Sequence, residues 1–434
     1  MAQQTSKALR NQVLYSVFVR NHTPDGTFEG VRRDLPRIRA LGADTVWLMP
    51  IHPIGQVQRK GTLGSPYAIR DYRAVNPEYG TLEDFRALVE ELHGMGMKCL
   101  IDVVYNHTSP DSVLVREHPE WFYRRPDGRF GNRVGDWTDI IDLDYSQPGL
   151  WDYQIETLKY WAQYVDGFRC DVASLVPLDF WLRARTEVES VRPGCIWLAE
   201  SVDPDFITLL RGQGFGCLSD SQLYQAFDLC YDYDTYHTFR GYLTGQTALA
   251  DYARAVNLQE TIYPDNYVKL RFLENHDQPR AAFLLPDERA LENWTAFSFF
   301  QKGAALVYAG QEAGCAHLPS LFDRDTVDWS GPDRSELLRR LCALKRHPLF
   351  TDGTYHVDAL PGDFLCASHR NGDRQLVGVF SARGAAGLVP VETPDGTYEN
   401  LLDGSAAEVK YGLLSGHGKP IVFEARVFEQ VNKL

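Results

Sequence analysis

The chain has 434 residues, 44% of them apolar, enough to bury one large core and a smaller second one. A formal net charge of −14 disfavours polyanionic partners: nucleic acid and acidic membrane surfaces are repelled, whereas a neutral glycan carries no such penalty. The eight cysteines lack metal-like spacing, the first residues lack an apolar signal core and no run approaches a membrane span, so reduced thiols and a cytoplasmic location are expected.

A first strand is predicted over Val13–Val19 and a second over Thr45–Met49, where Pro50 and Pro53 break the pattern. Between them Val31, Leu35, Ile38 and Leu41 recur at helical spacing up to Gly42. Pro36 inside that run predicts a kink, since an interior proline costs about 3 kcal/mol. Thr81 and Asp84 form a capping pair for a second helix with the buried stripe Leu82, Phe85, Leu88, Val89 and Leu92, ended by Gly94 and Gly96. A third strand comes next, in Cys99 Leu100 Ile101 Asp102 Val103 Val104 Tyr105 Asn106 His107.

From Thr108 to about Asp144 regular periods vanish and Pro, Gly and aromatic residues take over, among them Trp121, Phe122, Tyr123, Phe130 and Trp137. A connection of this length is usually functional. Most of these aromatics are expected to build a small core of their own, and one or two to stack on a ligand. A helix with Leu150, Trp151, Ile155, Leu158 and Trp161 inward then feeds a fourth strand at Val165–Cys170. The fifth strand reaches Glu200, the sixth is placed at Ala226–Cys230, the seventh ends at Asp277 and the eighth is Ala304–Tyr308, before Gly310 Gln311 Glu312. After a helix near Ser335–Lys345, short alternating runs such as Phe364–Ala367, Leu376–Phe380 and Ile421–Phe423 read as an antiparallel β-domain.

Buried parallel strands alternating with helices predict a (β/α)8 TIM barrel, whose strand C-termini build the active site. Four of these strand ends carry acid: Asp102 and its polar followers, Gly167 Phe168 Arg169 Cys170 Asp171, Ile196 Trp197 Leu198 Ala199 Glu200, and Leu270 Arg271 Phe272 Leu273 Glu274 Asn275 His276 Asp277. Arg169 and Asp171, two apart on a strand, share a face, and a guanidinium beside a carboxylate favours the ionised form that a nucleophile needs. Four such ends in one chain are hard to explain as packing.

In order, residue type and spacing these stretches resemble the signature regions of the α-amylase family of glycoside hydrolases (family 13 type), with supporting matches from Tyr15 to Trp329. The resemblance implies a catalytic barrel over 1–107 and 145–350, a small domain B over 108–144 inserted after the third strand, and a C-terminal antiparallel, sandwich-like β-domain over 351–434. It makes Asp171 the nucleophile, Glu200 the general acid/base and Asp277 the carboxylate that stabilises the transition state. Tyr67, Asp102, His107, Arg169 and His276 match residues that surround the sugar. No cofactor is needed for the chemistry, but Asn106 and Asp142 match positions that hold a structural calcium in many members.

Val172 Ala173 Ser174 Leu175 stands where those members carry a lysine–histidine pair, which weakens the calcium expectation and points toward short oligosaccharides. The expected activity is retaining hydrolysis of α-glucosidic bonds, foremost α-1,4, in maltooligosaccharides or starch-type glucans through a covalent glycosyl-enzyme. The alternatives are an α-glucan transglycosylase, an exo-acting α-glucosidase, and a catalytically silent glucan-binding barrel. A metal-dependent barrel hydrolase would need a ligand cluster such as His-x-His on the first strand, and Val13–Val19 has none. Oligomeric state stays open.

Overall fold

The apolar runs pair side by side. In the computed structural model, which describes residues 4–427, eight strands close into a parallel barrel: β1 (Val13–Val17), β2 (Thr45–Leu48), β3 (Lys98–Val103), β4 (Gly167–Cys170), β5 (Ile196–Ala199), β6 (Leu229–Tyr231), β7 (Lys269–Arg271) and β8 (Ala304–Tyr308). Each strand bonds to its neighbours in sequence, and β8 closes on β1. The register sets Asp102 of β3 beside Arg169 of β4, and Arg169 beside Leu198 of β5. Those pairings bring the acidic strand ends to one face.

The helix Phe28–Leu41 runs through Pro36, whose side chain faces solvent, while Val31, Leu35 and Ile38 are buried. Water can therefore satisfy the carbonyl that a proline leaves unpaired, and the buried stripe holds the helix together. The second helix, Leu82–Gly94, starts on the expected capping box, with Thr81 N donating to Asp84 at 2.8 Å and Asp84 N to Thr81 Oγ1 at 3.2 Å.

Four strand assignments need correction. The first ends at Val17, because Val19–His22 turns into a short helix, and the fourth begins at Gly167. The sixth strand is Leu229–Tyr231 rather than Ala226–Cys230, because Asp228 is drawn to the N–H of Trp197 and to Arg185 below the ladder. The seventh ends at Arg271, six residues short of Asp277. Beyond it Glu274 turns to Arg280 and to the N–H of Ala281, which pulls the chain out of the sheet.

Between β3 and β4 the insertion is tied down by a short antiparallel ladder that pairs His107 with Asp142 and Thr108 with Ile141. Trp121 and Phe122 are buried within it, and Trp137 is half-buried at the cleft. At the C-terminus stand two four-stranded antiparallel sheets, β9 (Thr354–Leu360), β10 (Phe364–Asn371), β11 (Arg374–Ser381) and β16 (Ile421–Arg426) in one, β12 (Ala386–Pro390), β15 (Leu413–His417), β14 (Ala406–Lys410) and β13 (Gly396–Glu399) in the other. Phe364, Val377, Val389, Leu414 and Phe423 form the core between them. His369 fastens the first sheet to the barrel through the carbonyl of Phe300 at 2.7 Å. Residues 428–434 of the expected terminal domain lie outside the described residues. Among the described residues no helix is long and apolar enough to cross a membrane.

Candidate active site

Above the C-terminal ends of the strands opens a cleft of about 700 Å³, lined among others by Tyr67, His107, Trp137, Asp171, Glu200 and Asp277. Its floor is organised by Arg169, which is completely buried. One of its terminal nitrogens donates to Asp102 at 2.9 and 3.1 Å and to Asp171 at 2.8 Å, and the other lies 3.1 Å from Glu200. Nε donates to the hydroxyl of Tyr231 at 3.2 Å, and the rings of Trp47, Tyr67 and Tyr231 surround the cation.

One guanidinium cannot neutralise three buried carboxyls, and the protonation states result from that. Burial pushes Glu200 up to about 7, with Asp171 and Asp277 adding to the rise and Arg169 opposing it. Burial likewise raises Asp171 to about 6 against the pull of Arg169. Asp277 is the open one, its side chain 34% exposed at the cleft; desolvation pushes upward, but the contact with His276, 3.0 Å away, outweighs it and holds the carboxyl below its ordinary value. Burial lowers His107 to about 4, so its imidazole is neutral near pH 7.

Val172, the residue after Asp171, sits in the left-handed region at φ 35°, an uncommon and costly conformation for a β-branched side chain. Its N–H donates to Glu200 Oε2 at 2.7 Å, which ties the two carboxyl-bearing strand ends together. Arg169 is the group the two carboxyls share, with Asp171 at 2.8 Å and Glu200 at 3.1 Å from its terminal nitrogens.

Of the five residues expected around the sugar, Tyr67 and His107 line the cleft, while Asp102, Arg169 and His276 are buried beneath it. Asp102 is a correction: its carboxylate is spent on Arg169 and on the Tyr67 hydroxyl at 3.1 Å, so it acts through them rather than on a ligand. The Tyr67 ring is stacked on His276, with centroids 5.4 Å apart, and its hydroxyl meets His276 Nε2 at 2.6 Å. Asn106 and Asp142 do meet, at 3.4 Å, yet Arg133 occupies the carboxylate, and the residues present do not fit a calcium ion.

Other cleft residues were missed in the sequence. The helix Tyr233–Leu243 after β6 turns Tyr233, Tyr236, His237 and Arg240 to the cleft. Their i, i+3, i+4, i+7 spacing is the available signal, hidden because an aromatic face normally reads as core. Phe206, beyond β5, stacks near Trp137 with centroids 6.5 Å apart. A second cavity, about 630 Å³ beside Trp329, has most of its ions already paired, Arg33 with Asp25 and Arg37 with Asp34 and Glu312, while Asp333 accepts the N–H of Ser335.

Residues 12–126 and 116–337 match the model of the α-amylase catalytic domain, and 356–423 that of the bacterial α-amylase C-terminal domain. The chain belongs to the α-amylase family. This family member is 48% identical to an α-amylase from Lactobacillus plantarum of known crystal structure, with 96% of this chain and 100% of that one covered and a TM-score of 0.94. A noncanonic maltogenic α-amylase, AmyB from Thermotoga neapolitana, is 35% identical over 97% of this chain and 100% of its own, with a TM-score of 0.85. Among curated relatives, the α-1,4-glucan:maltose-1-phosphate maltosyltransferase of Pseudomonas aeruginosa is 35% identical over 69% of this chain and 47% of its own. That of Rhodospirillum rubrum is 40% identical over 44% of this chain and 31% of its own. The chain thus spans less than half the length of these curated relatives.

Proposed function

We propose that this family member is a retaining glycoside hydrolase that cleaves α-1,4 bonds of maltooligosaccharides. The observation that carries the reading is the shared guanidinium: Arg169 holds Asp171 at 2.8 Å and lies 3.1 Å from Glu200, so the two carboxyls stand side by side at the cleft. A retaining enzyme places its two carboxyls about 5 to 5.5 Å apart, whereas an inverting one leaves room for a water between them. Protonated Glu200 gives its proton to the glycosidic oxygen as the leaving sugar departs. Asp171, ionised beside Arg169, bonds to the anomeric carbon. Glu200, now a carboxylate, takes a proton from water, whose oxygen displaces Asp171 and frees the second sugar. Asp277, kept anionic by His276, faces the positive charge that develops at the anomeric carbon.

The two solved relatives named α-amylases support hydrolysis, and the curated relatives named maltosyltransferases support transfer as the second reading. A time course with maltoheptaose separates them. Shorter products alone, released by the native chain and not by Asp171→Ala, are expected; products longer than the substrate would establish transfer. If neither protein releases anything, the α-1,4-hydrolase reading is wrong.

A further inference from the structure

Asp142 is the acidic residue that ties the insertion to the catalytic face, and its carboxylate is 1% exposed. Oδ2 accepts the backbone N–H of Arg133 at 2.8 Å and its guanidinium at 3.2 Å. Oδ1 faces the amide of Asn106 at 3.4 Å. Both terminal nitrogens of Arg133 also donate to the carbonyl of Leu143, at 3.3 and 3.4 Å, and the Tyr123 ring braces the guanidinium from 4.7 Å. A carboxylate and a main-chain carbonyl are oxygens that a calcium ion would take, and here one arginine takes both.

Little remains for a metal. Calcium needs six to eight oxygen ligands. The adjoining cavity, about 400 Å³, offers one carboxylate, Asp144, which already accepts the N–H of Ser146. Among the described residues no group of three or more His, Cys, Asp or Glu is placed to hold a metal ion.

Asp142 is paired in the ladder with His107, and Leu143 N donates to the carbonyl of Asn106 at 2.9 Å. His107 Nε2 in turn lies 3.9 Å from the Asp171 carboxylate. We propose that the Arg133 guanidinium is the resident cation of the insertion, holding Asp142 and Leu143 against the end of β3 in place of calcium, so that His107 is positioned beside Asp171 without a metal ion. Arg133 is then a positioning residue: it touches neither substrate nor nucleophile, and a cationic side chain, rather than a dissolved ion, sets the local geometry. A buried carboxylate that loses its cation is left with an uncompensated charge, which is strongly destabilising.

The test compares the native chain with Arg133→Lys and Arg133→Gln, each melted in a chelator and in millimolar calcium. The native melting temperature is expected to be the same in both solutions. Arg133→Gln should melt earlier, and Arg133→Lys, which keeps the charge, should recover part of the loss. On a chromogenic maltoside Arg133→Gln should lose about tenfold or more in kcat with a smaller change in KM, because a displaced His107 disturbs the reacting geometry. This kinetic arm rests on the proposed hydrolysis; if the native chain does not turn the maltoside over, that reading fails while the melting arm still judges Arg133. The proposal falls if calcium raises the native melting temperature and Asp142→Asn abolishes the rise. It falls equally if Arg133→Gln melts like the native chain, or if Arg133→Lys is as damaged as Arg133→Gln.

Discussion

Replacing Glu200 by glutamine should stabilise the fold at alkaline pH while abolishing turnover. Burial, Asp171 and Asp277 move the Glu200 carboxyl from 4.5 to about 7. At about 1.4 kcal/mol per pH unit, the ionised side chain costs the native state about 3 kcal/mol. The sign is set by proton binding. Between pH 4.5 and 7 the folded chain holds a proton that the unfolded chain has lost, so stability falls as pH rises through this window and the full cost is present above pH 7. Glutamine is neutral throughout and its carbonyl can still accept the Val172 N–H, so it escapes this cost. Urea unfolding at a series of pH values measures the difference. Glu200→Gln should gain up to about 3 kcal/mol over the native chain above pH 7 and nothing near pH 4, the gain being trimmed by weaker attraction to Arg169. A difference that does not vary with pH, or a variant less stable at pH 8, would refute the assignment of Glu200 as a buried acid held protonated.

The same two carboxyls predict a bell-shaped rate profile for kcat/KM, with an acid limb near 6, where Asp171 must ionise, and an alkaline limb near 7, where Glu200 loses its proton. Cys170→Ala should keep most activity, because this fully buried side chain alternates away from Arg169 and Asp171; a complete loss in initial-rate assays would mean that the strand register is wrong. Val172→Gly removes a strained conformation worth about 1 to 3 kcal/mol but also about 2 kcal/mol of apolar burial. Its melting temperature should therefore stay close to native while kcat falls severalfold, as the amide that anchors Glu200 loosens.

The family, the barrel and the three carboxylates of the cleft were legible in the chain itself, because each barrel strand is a short apolar run and the chemistry sits at fixed offsets from its end. Cys99 to Val103 and Ile196 to Ala199 must be buried on both faces, so the residues after them have to emerge at the rim. The thirteen-residue helix Leu82–Gly94 was equally plain, since its cap and its stripe are local. Strand ends decided by ion pairs outside the apolar pattern were not: Asp228 answers to Arg185, 43 residues away, and Glu274 to Arg280 in the loop that follows it. The split of the sugar-side residues into those that face the cleft and those that support it from below was likewise invisible, because alternation along a strand fixes the face of a side chain and not its depth. Sequence also suggested calcium at Asn106 and Asp142 and could not weigh Arg133, which lies nine residues before Asp142 in a segment without any period. Only the folded insertion, turned back on its own short ladder, brings that cation onto that carboxylate. Local pattern therefore determined which elements form and which acids they carry, and the closing of the barrel and its insertion decided which charges meet, and with them the protonation states on which the chemistry depends.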